Sequence, residues 1–131
     1  MPTPSARDLA LYVARIAWEK DGQDIRVLGF PPLSGMCDYC VLVTGRSERQ
    51  AYAIVDEAWR FAKSHNLHYQ PIEGEAGWLV LDLFDVVLHA FTPEPRQLYA
   101  LDSLWPKAAL IDHEAGFKGL AALPDVTSKR R

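Results

Sequence analysis

Trp78-Leu79-Val80-Leu81-Asp82-Leu83-Phe84-Asp85-Val86-Val87-Leu88-His89-Ala90-Phe91 is the stretch that decides how this chain folds. It reads as two short apolar strands, residues 78–81 and 86–91, meeting at an Asp-x-x-Asp corner. So short a connection makes the two strands antiparallel neighbours. Trp78 stands at one end and His89 interrupts the second strand; Arg96, Tyr99 and Trp105 follow. This mixture of apolar, acidic and aromatic residues lacks the partners that bond-making chemistry needs. It has the character of a surface that docks on another protein.

Upstream, residues 67–72 read as a further strand and 73–77 as a turn. Before them comes the clearest helix. Ser47-Glu48-Arg49-Gln50 is a capping box, Ala51, Ile54, Val55, Ala58, Phe61 and Ala62 form one apolar face, and Asn66 closes it. The strand from Cys37 to Thr44 carries Val41, Leu42 and Val43 in a row, the pattern of a strand covered on both faces. Phe30-Pro31-Pro32-Leu33-Ser34-Gly35 is a loop, preceded by a short strand at 25–28. A first helix is capped by Ser5, carries the stripe Leu9, Val13, Ile16 and Ala17, and ends at Gly22. Downstream, Thr92-Pro93 opens a short helix bearing Leu98, Leu101 and Leu104, and Pro106 stops it. The order predicts an α/β fold: a mixed sheet of about five strands packed with two long helices and a short C-terminal helix. One domain spans residues 1–106, and the tail at 107–131 is expected to be only partly ordered.

A chain of 131 residues suits one domain. Its formal charge of -3 argues against a general nucleic-acid binder, and the charge is unevenly spread. Residues 66–126 hold three Lys/Arg against nine Asp/Glu. That half repels phosphate and attracts basic proteins. No apolar run reaches the ~18 residues of a membrane span, and the first residues lack the pattern of a secretory signal. The expected place is the cytoplasm, away from membranes.

Four features test whether chemistry belongs here. Cys37-Asp38-Tyr39-Cys40 is a C-x-x-C, but a redox pair usually sits at a helix N-terminus, whereas this one leads into a strand, where residues three apart face opposite ways; the thiols are expected to diverge, and a structural disulfide is not expected in the cytoplasm. His65 and His68 add an H-x-x-H, yet a zinc site needs all four groups to converge, and core packing is the favoured reading for the cysteines. Three roles compete for His89: a hydrogen-bonded structural residue, an interface contact, and a base paired with Asp82 across the hairpin, for which no nucleophile is evident. Thr44-Gly45-Arg46-Ser47 opens a helix where backbone amides can hold a phosphate. No Asp-x-Asp follows to bind metal, and Arg46 is expected to pair with Asp38.

Together these residues resemble the Iojap family of ribosomal silencing factors. The matching pieces are Gly22-Gln23-Asp24-Ile25, Asp38-Tyr39, Val43-Thr44-Gly45-Arg46-Ser47 with Gln50, Glu73-Gly74, Trp78, Asp82 with Asp85-Val86-Val87 and His89, then Arg96, Tyr99, Leu101 and Trp105. The resemblance implies a nucleotidyltransferase-like fold without transferase activity. It also implies binding to large-subunit ribosomal protein fourteen, obstruction of subunit joining under nutrient limitation, and a homodimer when free. Three departures stand out: Phe84 where members carry glycine, Gly29 where they carry aspartate, and Phe30-Pro31-Pro32. The expected contact region is Trp78, Asp82, Leu83, Asp85, His89, Arg96 and Tyr99, with no catalytic residue, metal or cofactor. The alternative is a nucleotide-binding or nucleotidyltransferase-type enzyme using the turn from Gly45 to Ser47.

Overall fold

The computed structural model describes residues 4–31, 35, 37–75, 77–99, 109–117 and 120. In chain order the elements are α1 (Ala6–Glu19), β1 (Gln23–Gly29), β2 (Tyr39–Thr44), α2 (Glu48–Ser64), β3 (Glu73–Glu75), β4 (Trp78–Asp82), β5 (Val86–Phe91), α3 (Pro93–Tyr99), β6 (Ala109–Ile111) and α4 (His113–Phe117).

Both long helices are fixed at their ends by side chains the sequence supplies. Ser5 accepts from the Asp8 amide at 3.1 Å, and Ser47 from the Gln50 amide at 3.1 Å. Each then closes in a Schellman motif. After α1, Asp21 takes the left-handed conformation, with φ 62°, and the Gly22 amide reaches back to the Ala17 carbonyl at 2.8 Å. Gly22 is therefore not the left-handed closing residue. It is small because a Cβ there would lie 2.5 Å from Val43 Cγ2. After α2, Asn66 plays the left-handed role, with φ 56°. The Gln50 side chain then joins the helices, donating from Nε2 to the Lys20 carbonyl at 3.0 Å while its Oε1 accepts from the Arg46 amide at 2.6 Å.

The described strands form one mixed sheet of six, ordered β3-β4-β5-β2-β1-β6. The central pair, β2 with β5, is parallel, and the other pairs are antiparallel. Two placements differ from the sequence expectation. Residues 67–72 are not a strand; pairing begins at Glu73, where a turn was expected, because Gly74 at φ 103° bends the chain against Trp78 and Leu79 of β4. An edge strand beyond Pro106, β6, pairs with β1. The strand pleat sorts side chains by parity. Val41, Val43, Leu81, Val86, Leu88 and Ala90 pack beneath α1 and α2. Leu28, Cys40, Leu42 and Phe91 point the other way, with Trp78 and Val87 against them. Burying a Val, Leu, Ile or Phe side chain contributes roughly 1.5–3 kcal/mol, so the helical side holds most of the apolar stabilisation. No helix among the described residues is long and apolar enough to cross a membrane.

Candidate docking surface

Neither long helix covers the second face of the sheet. The short α3 is pinned across one end of it by Arg96. That side chain is only 7% exposed; it donates to Thr44 Oγ1 at 3.0 Å and to the Asp24 carbonyl at 3.0 Å, and it meets the Asp24 carboxylate at 3.3 Å. Asp24 reaches it because a bulge in β1 puts Asp24 at φ 49°.

Beyond α3, the described strip of that face along β4 and β5 is partly exposed, whereas Leu28, Cys40 and Leu42 on it are buried. Trp78, Val80 and Asp82 share it by strand parity with Val87, His89 and Phe91. Phe91 is fully buried, while Trp78, Val80, Val87 and His89 are half-buried. Trp78 leans over Phe91, ring centroids 5.2 Å apart, and donates from its indole N–H to His89 Nδ1 at 3.2 Å. That bond makes Nδ1 the acceptor and leaves the proton of the neutral imidazole on Nε2. Burial lowers the His89 pKa to about 4, so the ring is uncharged at neutral pH. His89 pairs across the hairpin with Val80, and Asp82 pairs with Val87. His89 and Asp82 are therefore not direct cross-strand partners, although both line the same depression.

Carboxylates ring this apolar patch. Glu73 and Glu75 lie opposite Val80 and Trp78 on β4 and are exposed. Asp82 and Asp85 stand exposed at the corner. The corner is a γ-turn around Phe84: the Asp85 amide donates to the Leu83 carbonyl at 3.0 Å, with Phe84 at φ 75°. Asp82 Oδ1 steadies it by accepting from the Phe84 amide at 2.7 Å. The Phe84 ring is 70% exposed and meets His68 edge-on at 5.6 Å. The Asp85 carbonyl accepts from the amides of Asp38 and Tyr39, tying the corner to the loop before β2. Between corner and loop lies a depression of about 560 Å³, lined by Cys37, Asp38, Asp82, Asp85, Val87 and His89 among others.

Of the residues expected in the contact region, Trp78, Asp82, Asp85 and His89 meet on this surface. Leu83 is 3% exposed in the core beneath the helices, and Arg96 is 7% exposed and bonded to Thr44 and Asp24. Tyr99 ends α3, and its side chain lies outside the described residues, as do Leu101, Leu104 and Trp105. Val80, Val87, Glu73 and Glu75, which were not among the expected residues, share this face. Period-two parity from Trp78 would have found Val80 and placed Leu83 with Leu79 and Leu81 in the core.

The thiols do not diverge. Cys37 precedes β2, so strand alternation does not govern it, and its Sγ lies 3.8 Å from Cys40 Sγ. The histidines go elsewhere: His65 Nδ1 lies 2.9 Å from the Phe61 carbonyl, and His68 meets Phe84. Four amides around the turn after β2 have partners within the chain. The Gly45 amide is taken by the Phe91 carbonyl, that of Arg46 by Gln50, and those of Gln50 and Ala51 by Ser47.

Residues 3–130 match the family model described as "Ribosomal silencing factor during starvation". The chain is 35% identical over 100 residues to ribosomal silencing factor RsfS of Bacillus subtilis, covering 75% of this chain and 85% of that one. Its counterpart in Halalkalibacterium halodurans is 31% identical over 112 residues, covering 84% and 96%. The mouse protein called mitochondrial assembly of ribosomal large subunit protein 1 is 31% identical, and the match spans 49% of its length. A Bacillus halodurans crystal structure superposes with a TM-score of 0.64 at 29% identity, covering 80% of this chain and 96% of that one. One from Chromobacterium violaceum gives 0.73 at 24% identity, covering 78% and 87%, and speaks for the fold alone.

Proposed function

The chain belongs to the family of ribosomal silencing factors, and from that premise we propose that it is a non-enzymatic repressor of translation, docking through the partly exposed β4–β5 strip of its sheet on the large ribosomal subunit in the cytoplasm. The partner in this reading is large-subunit ribosomal protein fourteen. A domain seated there occupies the space the small subunit must enter, so joining fails by steric exclusion and translation falls when nutrients are scarce. Free protein pairs with a second copy of itself.

One observation carries the reading: half-buried Trp78, Val80, Val87 and His89 form an apolar centre, and Glu73, Glu75, Asp82 and Asp85 form an acidic rim. An aromatic anchor inside a polar rim is the anatomy of a protein interface, and the rim's sign suits a basic ribosomal protein. Purified subunits provide the test. Adding the protein should lower the seventy-S fraction in a sucrose gradient, and it should sediment with the large subunit. Trp78→Ala, folded by circular dichroism, should bind about 2 kcal/mol more weakly. Undiminished subunit joining, with no protein retained on the large subunit, would overturn the proposal.

A further inference from the structure

Cys37 and Cys40 are the only cysteines of the chain, and the fold brings them together beside the depression at the β4–β5 corner. Cys40 is fixed in the central strand β2 and is 2% exposed. Cys37 sits just ahead of the strand, half-buried, on the wall of the depression beside Asp38 and Val87. Their sulfurs are 3.8 Å apart, and the Cys37 thiol also lies 3.1 Å from the Tyr39 carbonyl, to which it donates. A disulfide needs the sulfurs at about 2.05 Å. The closing movement is under about 2 Å, and only the non-strand residue has to make it.

We propose that Cys37 and Cys40 form an oxidation site for hydroperoxides, with Cys37 the attacking thiol and Cys40 the resolving one. The half-buried Cys37 lines the depression and the buried Cys40 stands behind it, which fixes the order of events. Supporting this order, the hydrogen bond from Cys40 lowers the Cys37 pKa, against the opposing effects of burial and Asp82. The same bond, together with burial, raises that of Cys40. Cys37, as thiolate, attacks one peroxide oxygen; the O–O bond breaks, the thiol's proton goes to the departing oxygen, and sulfenic acid and water result. The Cys40 sulfur then attacks the Cys37 sulfur. The S–S bond forms, the S–OH bond breaks, and the hydroxyl leaves as a second water with the Cys40 proton. Two thiols and one hydrogen peroxide give one disulfide and two waters. A thiol reductant reverses the bond by exchange.

The test uses the full chain with hydrogen peroxide as the probe, followed by denaturation, iodoacetamide and intact mass. The wild type should lose about 2 Da, remain a monomer on a non-reducing gel, take up no label, and regain two labels after dithiothreitol. Cys40→Ser should stop at the sulfenic acid and be captured by dimedone on Cys37; Cys40→Ala serves if the serine variant misfolds. Cys37→Ser should leave Cys40 open to alkylation only after denaturation. The proposal is overturned if the wild type keeps both labels under conditions that give the Cys40 variant its dimedone adduct. It is equally overturned if Cys40 reacts in Cys37→Ser as fast as Cys37 does in Cys40→Ser, or if the only disulfide joins two chains.

Discussion

Phe84 holds a conformation that costs a bulky side chain on the order of 1 kcal/mol, and its exposed ring recovers little of that by burial. Phe84→Gly should therefore raise stability by about 1 kcal/mol in urea unfolding; an unchanged midpoint would mean that the contact with His68 fully offsets the strain. The substitution tests the tightness of the corner without removing either aspartate. His89 gives a prediction with a definite sign. Its pKa is about 4 when folded and 6.5 in the unfolded chain, so the unfolded state takes up the proton first. The residue is neutral in both states above pH 6.5, and stability falls as the pH drops from there toward 4. His89→Gln, which retains an acceptor for Trp78, should lose less stability than the wild type between about pH 6.5 and 4.5. Equal losses measured by urea unfolding would contradict a buried neutral imidazole.

At the scale of elements, the Arg96 guanidinium ties α3 to the sheet. Arg96→Met leaves Thr44 Oγ1 and the Asp24 carbonyl without their donor, and a cost of about 2 kcal/mol is expected, read as a lower unfolding midpoint and earlier proteolysis near α3. The junction of α1 with the sheet is as intolerant. Gly22→Ala sets a methyl against Val43 Cγ2 and the Ala17 carbonyl and should destabilise by about 2 kcal/mol. Much of this layer was legible from residue pattern alone. The caps at Ser5 and Ser47, both helix stripes and the β4–β5 hairpin lie where periodicity and turn chemistry put them. Asn66 closes α2 as expected, but Asp21 rather than Gly22 closes α1, since aspartate also tolerates positive φ. The strand at 73–75 was hidden because Glu-Gly-Glu has neither apolar residues nor alternation. The meeting of Cys37 with Cys40 was misjudged because the strand starts two residues after Cys37, and boundaries are the least legible part of a sequence. The tie between Arg96 and Asp24 joins residues distant in sequence through a bulge, which no local pattern announces.

Across the whole molecule, charge and sheet topology set the behaviour. The net charge is -3, concentrated in the half that carries the β4–β5 strip. Association with a basic partner should slow as salt rises, because charges separated by more than about 8 Å are screened at physiological ionic strength. Asp82→Asn with Asp85→Asn should lower the association rate severalfold at low salt while changing the dissociation rate less; surface plasmon resonance with immobilised large subunits would separate the two. The parallel pairing of β2 with β5 has a kinetic consequence. Tyr39 must find Val86, with α2 and the β3–β4 segment lying between them in the chain. The centre of the sheet therefore cannot zip locally; it waits for a large loop to close. Refolding should be limited by that search, and tryptophan fluorescence from Trp78 should recover no faster than the sheet. Until it does, the apolar edge of β2 is bare, and a nascent chain caught at that stage is open to mispairing and aggregation.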